Sequence, residues 1–354
     1  MGNNTISTVF LGIDVHKRTY SVTAVSNNSI IKRASMPADP NTLLSFIRKF
    51  FPGAYIYSVY EAGFSGFFLH RFLISNGIHN IVVHAASIEV AANNKSKNDK
   101  RDSEKMAFQL SYGKLDCVHI PSPQREAWRS VSRLRSQYVK ERSRTANKLK
   151  GLLFYFSMIP HTHSKRTSRK WIKKQLEIKD IDEDIAFCIQ NLAETWLYFD
   201  EKIKKIDKRL KEQAKKDFKV DEVYRASYGI GLTSSRILAN ELGNLSQFSS
   251  TRKLYGFIGL TPKEYSSGDK KKLGNISRHG NPIIRAILTE AAWMAIRKDQ
   301  ELNAVFERLV KNTSSRKKAI LGVARRMIGR TRAEFKKGKA FVRDLGKKEN
   351  LCLR

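Results

Sequence analysis

The sequence predicts a mixed α/β domain over residues 1–122, a basic long-helix, coiled-coil-like region over 123–218, and a mainly α-helical domain over 219–354. Three observations carry this. Short β-rich runs separated by polar turns fill the first 120 residues. Residues 125–158 then contain no proline and a single late glycine, Gly151, with apolar residues at roughly helical spacing. From 219 onward helical segments resume, punctuated by glycines.

The elements follow in order. "TVFLGIDV", "YSVTAVS" and "SIIKRASM" predict three strands joined as a meander, and "AYIYSVYEA" predicts a fourth. "SGFFLHRFLISNG" has helical spacing and stops at Gly77, a C-cap residue type. "HNIVVH" predicts a fifth strand, and "DSEKMAFQLSYG" a helix closed by Gly113. Strand, helix, strand, helix after a meander implies a mixed sheet with helices packed on it. The segments around Trp128 and Trp196 predict two long amphipathic helices forming a hairpin or coiled-coil arm, with "HTHSKRTSRK" as the link. "SYGIGLTSSRILANELG" predicts a helix–turn–helix turning at "GIG", and "FIGLTPKEYSSGDKKKLGNISRHGNP" a loop-rich stretch. Two strong helices end the chain; the first opens on Asn281 as N-cap and Pro282 at the first helical position.

Charge narrows the partner. Of 354 residues, 66 are Lys or Arg and 33 Asp or Glu, a formal net charge of +33. Such an excess repels itself on compaction and calls for a polyanion. Nucleic acid is the first candidate, an anionic membrane surface the second. No apolar stretch is long enough to span a bilayer, and the N-terminus lacks the pattern of a secretory signal. Cys117, Cys188 and Cys352 are odd in number and far apart, which predicts a reducing compartment and no metal cage.

Within this basic chain the acids are sparse. Residues 1–100 hold only Asp14, Asp39, Glu61, Glu89 and Asp99. Asp14 ends the first predicted strand and Glu61 the fourth. Asp99 and Asp102 stand three apart in "KSKNDKRDSEK", so on a helix they share a face. Carboxylates converging from separate segments repel unless cations sit between them, and paired Mg²⁺ ions are a common solution in phosphoryl-transfer sites. Each acid also has a plainer reading: a strand-end Asp caps turns, and Asp99 suits the N-cap of the following helix. Lys17, Lys97 and Arg101 lie beside these acids and would steer a phosphate backbone toward them. The stretch 123–175 holds fifteen Lys and Arg against Glu126 and Glu141. Arg129, Arg133 and Arg142 on it are candidate backbone contacts, with a solvated face as the alternative. Gly229 and Gly231 would aim backbone N–H groups at phosphates, or simply permit a tight turn. His161 and His163 lack neighbouring ligands and make a poor zinc site.

These motifs resemble a known family. "GIDVHK" with Asp14, "YEAG" with Glu61 and "KSKNDKRDSEKMA" with Asp99 and Asp102 are similar to the DEDD tetrad of the transposases of insertion-sequence family one hundred and ten, which includes pilin-gene invertases. "GIG", "LANELG", "GLTP", "SSG", "ISRHGNPIIR" and "AAW" follow, in order, the pattern of that family's C-terminal domain. The resemblance covers about 1–120 and 225–335. It implies a RuvC-like, RNase H-like first domain whose four acids hold Mg²⁺ or Mn²⁺. The "YGIG" turn is similar to a helix-hairpin-helix, and Arg278 joins the candidate nucleic-acid contacts. The resemblance makes Ser267 the nucleophile, with Ser266 as the alternative. The partners it implies are double-stranded DNA at element ends and target, a structured guide RNA, and further copies of the chain in a dimer or tetramer, in the cytoplasm at the nucleoid. The alternatives are a RuvC-like endonuclease that uses water, and a non-catalytic nucleic-acid-binding accessory protein.

Overall fold

The computed structural model describes residues 7–88, 99–160, 167–267, 270–277 and 280–338. The chain divides into two compact units, Met1–Ile120 and Pro121–Arg354.

The first unit is built on a five-stranded sheet. β1 (Thr8–Val15), β2 (Thr19–Ser26) and β3 (Ser29–Pro37) form the meander, all antiparallel. After α1 (Pro40–Phe50), β4 (Tyr55–Glu61) pairs parallel with β1; after α2 (Phe68–Ser75), β5 (His79–Val83) pairs parallel with β4. The strand order is β3-β2-β1-β4-β5. α3 (Asp99–Ser111) closes the unit. Side chains alternate across the central strand. Val9, Leu11 and Ile13 enter a core with Leu43 and Ile47 of α1 and Leu69 and Leu73 of α2. On the opposite face Val59 of β4 and Val83 of β5 pack with Met106 of α3. The sheet is therefore covered by α1 and α2 on one side and α3 on the other.

One glycine sets how closely α3 lies on the sheet. A Cβ on Gly12 would stand 1.9 Å from the Ser103 carbonyl oxygen and 2.6 Å from the Ala107 nitrogen. Both obstacles are backbone, so α3 itself would have to move. Gly12→Ala is expected to cost about 1–3 kcal/mol, the usual range for overpacking, measured by denaturant unfolding of the full chain. A stability within a few tenths of a kcal/mol of the original would contradict the close packing of α3 on β1.

The second unit is mainly helical. α4 (Pro123–Tyr155) and α6 (Glu183–Lys216) are its long helices, with α5 (Arg169–Gln175) between them. Arg135 pairs with Asp207 at 2.5 Å and Arg142 with Asp200 at 2.6 Å. Position rises on α4 as it falls on α6, so the two run antiparallel. Leu149, Leu153, Ile189, Ala193 and Trp196 form their shared apolar seam, joined by Ile172 of α5. α7 (Phe218–Arg225), α8 (Leu232–Leu242), α9 (Thr251–Ile258), α10 (Pro282–Ala295), α11 (Gln300–Thr313) and α12 (Arg316–Lys337) follow. They enclose one large core that includes Leu238, Leu254, Leu288, Phe306 and Val323. Asn281 caps α10 by accepting from the Ile283 N–H, with Pro282 first in the helix, as its sequence predicts.

The segment after α9 differs from expectation. It contains an antiparallel hairpin, β6 (Pro262–Ser267) and β7 (Lys270–Ile276), where the sequence suggested irregular loop. Its strands are dominated by Lys, Ser, Gly and Asn and lack the apolar alternation that marks a half-buried strand. No helix among the described residues is long and apolar enough to cross a membrane.

Candidate active site

The acids of the first unit are placed by register. Gly12 faces Thr23 on β2 and Val59 on β4. That row lies under α3: the Thr23 and Ser103 hydroxyls share a buried hydrogen bond of 2.9 Å, and Gly12 meets the Ser103 carbonyl. Two residues on, with the same facing, Asp14 pairs with Ser21. The β1–β4 ladder ends at Ile13 opposite Tyr60, which makes Asp14 and Glu61 the next residues on the two parallel strands. Glu61 shares its face with Val59, which packs on α3. Asp102 immediately precedes Ser103, the residue resting on Gly12. Asp14 and Glu61 thus end adjacent parallel strands on the α3-covered face, and Asp102 lies on the covering helix, one residue from its contact with Gly12. Asp99 is the first residue of α3; its side chain, like those of Ser266 and Ser267, lies outside the described residues, as do Lys97 and Arg278 altogether.

Two of the carboxylates have side-chain partners. His16 Nε2 lies 3.1 Å from Asp14 Oδ2, and Lys105 Nζ lies 3.5 Å from Asp102 Oδ1. Asp14 is four-fifths buried. Among the described residues no three His, Cys, Asp or Glu side chains are gathered closely enough to hold a metal ion. The donor chemistry nevertheless suits one class of ion. Asp14, Glu61 and Asp102 offer only carboxylate oxygens, which favour hard divalent cations such as Mg²⁺ or Mn²⁺ over zinc.

Ser267 ends β6, opposite Lys270; Ser266 lies opposite Lys271. The feet of this hairpin are held firmly. Gly259 closes α9 in the left-handed region, with φ 74°. The Ser277 N–H donates to the Thr261 carbonyl at 2.8 Å. Gly280 lies so close to α9 that a Cβ would stand 2.1 Å from the Phe257 oxygen. Arg285 on α10 donates from Nη1 to the carbonyls of Ile258 at 3.0 Å and Gly280 at 2.6 Å. Sequence reading overlooked Arg285. Its signal was present as the final arginine of "GNPIIR", but an arginine in a basic chain does not announce a structural partner.

The predicted nucleic-acid contacts fall into two groups. Lys17 and Arg101 are exposed in the first unit. Those of α4 make internal bonds. Arg129 donates to the Asn240 and Glu241 carbonyls at the end of α8, at 3.0 and 2.8 Å, where burial pulls its pKa below the usual arginine value. Arg133 forms a two-pronged pair with the Glu241 carboxylate at 2.9 and 3.0 Å, which pushes its own pKa up. Arg142 is paired with Asp200. Gly229, at φ 79°, approaches the α10 backbone so closely that a Cβ would stand 2.6 Å from the Ala291 oxygen. Gly231 is the N-cap of α8.

A buried charge cluster underlies this region. Arg236 of α8 has no exposed side-chain surface; it pairs with Asp217 at 2.8 Å and approaches Asp221 at 3.9 Å. Asp217 also accepts from Arg125 at 2.7 Å. Trp128 lies against both guanidinium groups, 5.4 Å from Arg125 and 5.3 Å from Arg236. Burial raises the Asp221 pKa above the ordinary aspartate value.

Comparison with known proteins places both units. Residues 224–307 match a family described as Transposase IS116/IS110/IS902 family, and residues 11–157 match a DEDD-type IS110 model described as Transposase. A probable family 20 transposase of Pseudomonas aeruginosa is 24% identical over 203 residues, covering 57% of this chain and 60% of its own length. Putative transposase y4qE of Sinorhizobium fredii is 27% identical over 296 residues, 80% of this chain and 71% of its own. The transposase for insertion sequence element IS1533 of Leptospira borgpetersenii is 26% identical over 302 residues, 80% of this chain and 84% of its own.

Proposed function

From the premise that this chain belongs to the IS116/IS110/IS902 family of transposases, we propose that it cuts and rejoins double-stranded DNA at the ends of an insertion sequence. The reading is supported by one observation: Asp14 and Glu61 end adjacent parallel strands on the sheet face covered by α3, the helix that carries Asp99 and Asp102. The strand order β3-β2-β1-β4-β5 supports an RNase H-like description of this unit.

In this proposal Asp14, Glu61, Asp99 and Asp102 hold Mg²⁺ or Mn²⁺. The ion supplies Lewis-acid stabilisation of charge on the phosphate oxygens. The protein's own contribution is to fix those carboxylates on rigid elements, to offset their repulsion through Lys105 before DNA arrives, and to supply the nucleophile. Ser267 attacks phosphorus: its Oγ–P bond forms, a P–O bond of the DNA backbone breaks, the serine proton is released, and the departing oxygen takes up a proton. A structured RNA from the same element selects donor and target by base pairing, so that the protein reads shape and backbone. Lys17, Lys97, Arg101 and Arg278 contact phosphates, and the protein works as an oligomer of like chains.

The test is a covalent adduct. DNA labelled at an element end, incubated with protein, RNA and Mg²⁺, is expected to yield a protein–DNA species that maps to the peptide containing Ser267. Ser267→Ala should abolish the adduct and strand joining, and Ser266→Ala should keep both. Cleavage that persists in Ser267→Ala without an adduct would make water the attacking group and reduce the chain to a structure-selective endonuclease.

A further inference from the structure

α4 and α6 use their basic residues differently. Five of the six arginines of α4 bond to other elements: Arg125, Arg129, Arg133, Arg135 and Arg142 each meet a carboxylate or carbonyl beyond α4, and only Arg144 pairs on its own helix, with Glu141. α6 instead carries lysines outward. Lys204, Lys208, Lys211 and Lys215 are all exposed. At 3.6 residues per turn they fall within an arc of about 60° on one face, and at 1.5 Å per residue they form a row about 16 Å long.

The acids that would neutralise this row are already occupied. Asp200 and Asp207 lie on the strip of α6 to one side of the row, and Glu201 and Glu212 on the strip to the other, where Glu201 is met by Arg169 at 3.6 Å and Glu212 by Arg209 at 3.1 Å. Asp207 is paired with Arg135 at 2.5 Å. Asp200 is paired with Arg142 at 2.6 Å and approached by Arg169 and Lys204, each at 3.4 Å. Lys208, Lys211 and Lys215 have no ion pair among the described residues. Lys208, Lys211 and Lys215 therefore keep their positive charge, because Arg135 and Arg142 of α4 and Arg209 of α6 answer the acids beside them, while Lys204 shares Asp200 with two arginines.

We propose that Lys204, Lys208, Lys211 and Lys215 form a rail for the phosphate backbone of duplex DNA. The chemistry of the two residue types fits the division. Arginine's rigid planar fork serves fixed pairs inside a protein, while lysine is a hydrated point charge on a flexible stem, suited to a backbone met in any sequence. A row about 16 Å long spans about five base-pair rises of 3.4 Å, so flexible lysine stems along it can meet several successive phosphates of one strand. The interaction is sequence-neutral and sets register along the duplex rather than choosing a site. It stands on the second unit alone and does not depend on the Ser267 reading.

The experiment compares duplex-DNA affinity across salt concentrations, in EDTA so that no chemistry intervenes. The full chain is compared with a Lys204→Gln/Lys208→Gln/Lys211→Gln/Lys215→Gln variant. Each lost phosphate contact lowers the slope of log K against log salt by about 0.9, so the variant should lose about 3 to 4 in slope. The four-fold Lys→Arg variant should keep the slope. A control with the same loss of four charges on another face of α6, Lys202→Gln/Lys205→Gln/Arg209→Gln/Lys216→Gln, should change it by less than about 1. Unchanged far-ultraviolet helicity checks that the variants fold. An equal fall in test and control variants would reduce the rail to net charge and overturn the proposal. A fall seen with duplex RNA and absent with duplex DNA would overturn it in favour of RNA.

Discussion

Asp14→Asn is expected to reduce DNA cleavage to background while leaving the fold and DNA affinity intact. The substitution keeps the size of the side chain and removes its charge. Asp14 sits at the junction of the two parallel strands, opposite Ser21 and next in register to Glu61. Metal-assisted stabilisation of a phosphoryl-transfer transition state supplies several kcal/mol, so its loss corresponds to a fall on the order of 10³-fold or more. Glu61→Gln and Asp102→Asn should fall to a similar level, and excess EDTA should reproduce the loss in the unaltered protein. Full activity in Asp14→Asn, or in EDTA, would remove the carboxylate site from the account. Binding measured alongside separates lost chemistry from lost folding.

The largest expected effect on stability is at Arg236. Its side chain is completely buried between Asp217, Asp221 and the Trp128 ring. Arg236→Met would leave Asp217 to Arg125 alone and leave the Asp221 carboxylate only its hydrogen bond from Ser235, its Oδ1 having no hydrogen-bond partner already. Removing one member of a buried pair costs about 3–5 kcal/mol. Arg144→Ala offers the contrast. Arg144 pairs with Glu141 on the surface of α4 at 2.8 Å, with side chains 72% and 43% exposed, and such pairs contribute about 0–1 kcal/mol. Denaturant titration of both variants should show the first shifted strongly and the second barely. Comparable shifts would mean that the Arg236 cluster is not the anchor its burial suggests.

How much of this was legible depended on the range of each interaction. The strands of the first unit announce themselves, because Val9, Leu11 and Ile13 alternate with residues of the opposite face over a few positions. The acids were visible as scarce residues at strand ends in a basic chain. What placed them was less so: Gly12 looks like any glycine until α3, ninety residues later, is seen resting on it. The α4 arginines read as a nucleic-acid surface because sequence shows charge and not its partner. Their acceptors Asp200, Asp207 and Glu241 lie 58 to 108 positions away. The lysines of α6 were overlooked for the complementary reason: interspersed acids make that helix look balanced until Arg135 and Arg142 are seen to answer Asp207 and Asp200. The β6–β7 hairpin was hidden by its polar composition, and the burial of Arg236 by the ordinary look of "SSRILANEL".

The most direct test of the shared-face arrangement is a crystal structure of the protein with Mn²⁺ and a short DNA end, using the anomalous signal to locate the ion. The account predicts an anomalous peak within coordination distance of Asp14, Glu61 and Asp102 together. A peak held by other residues, or carboxylates of these three pointing apart with no ion between them, would contradict it.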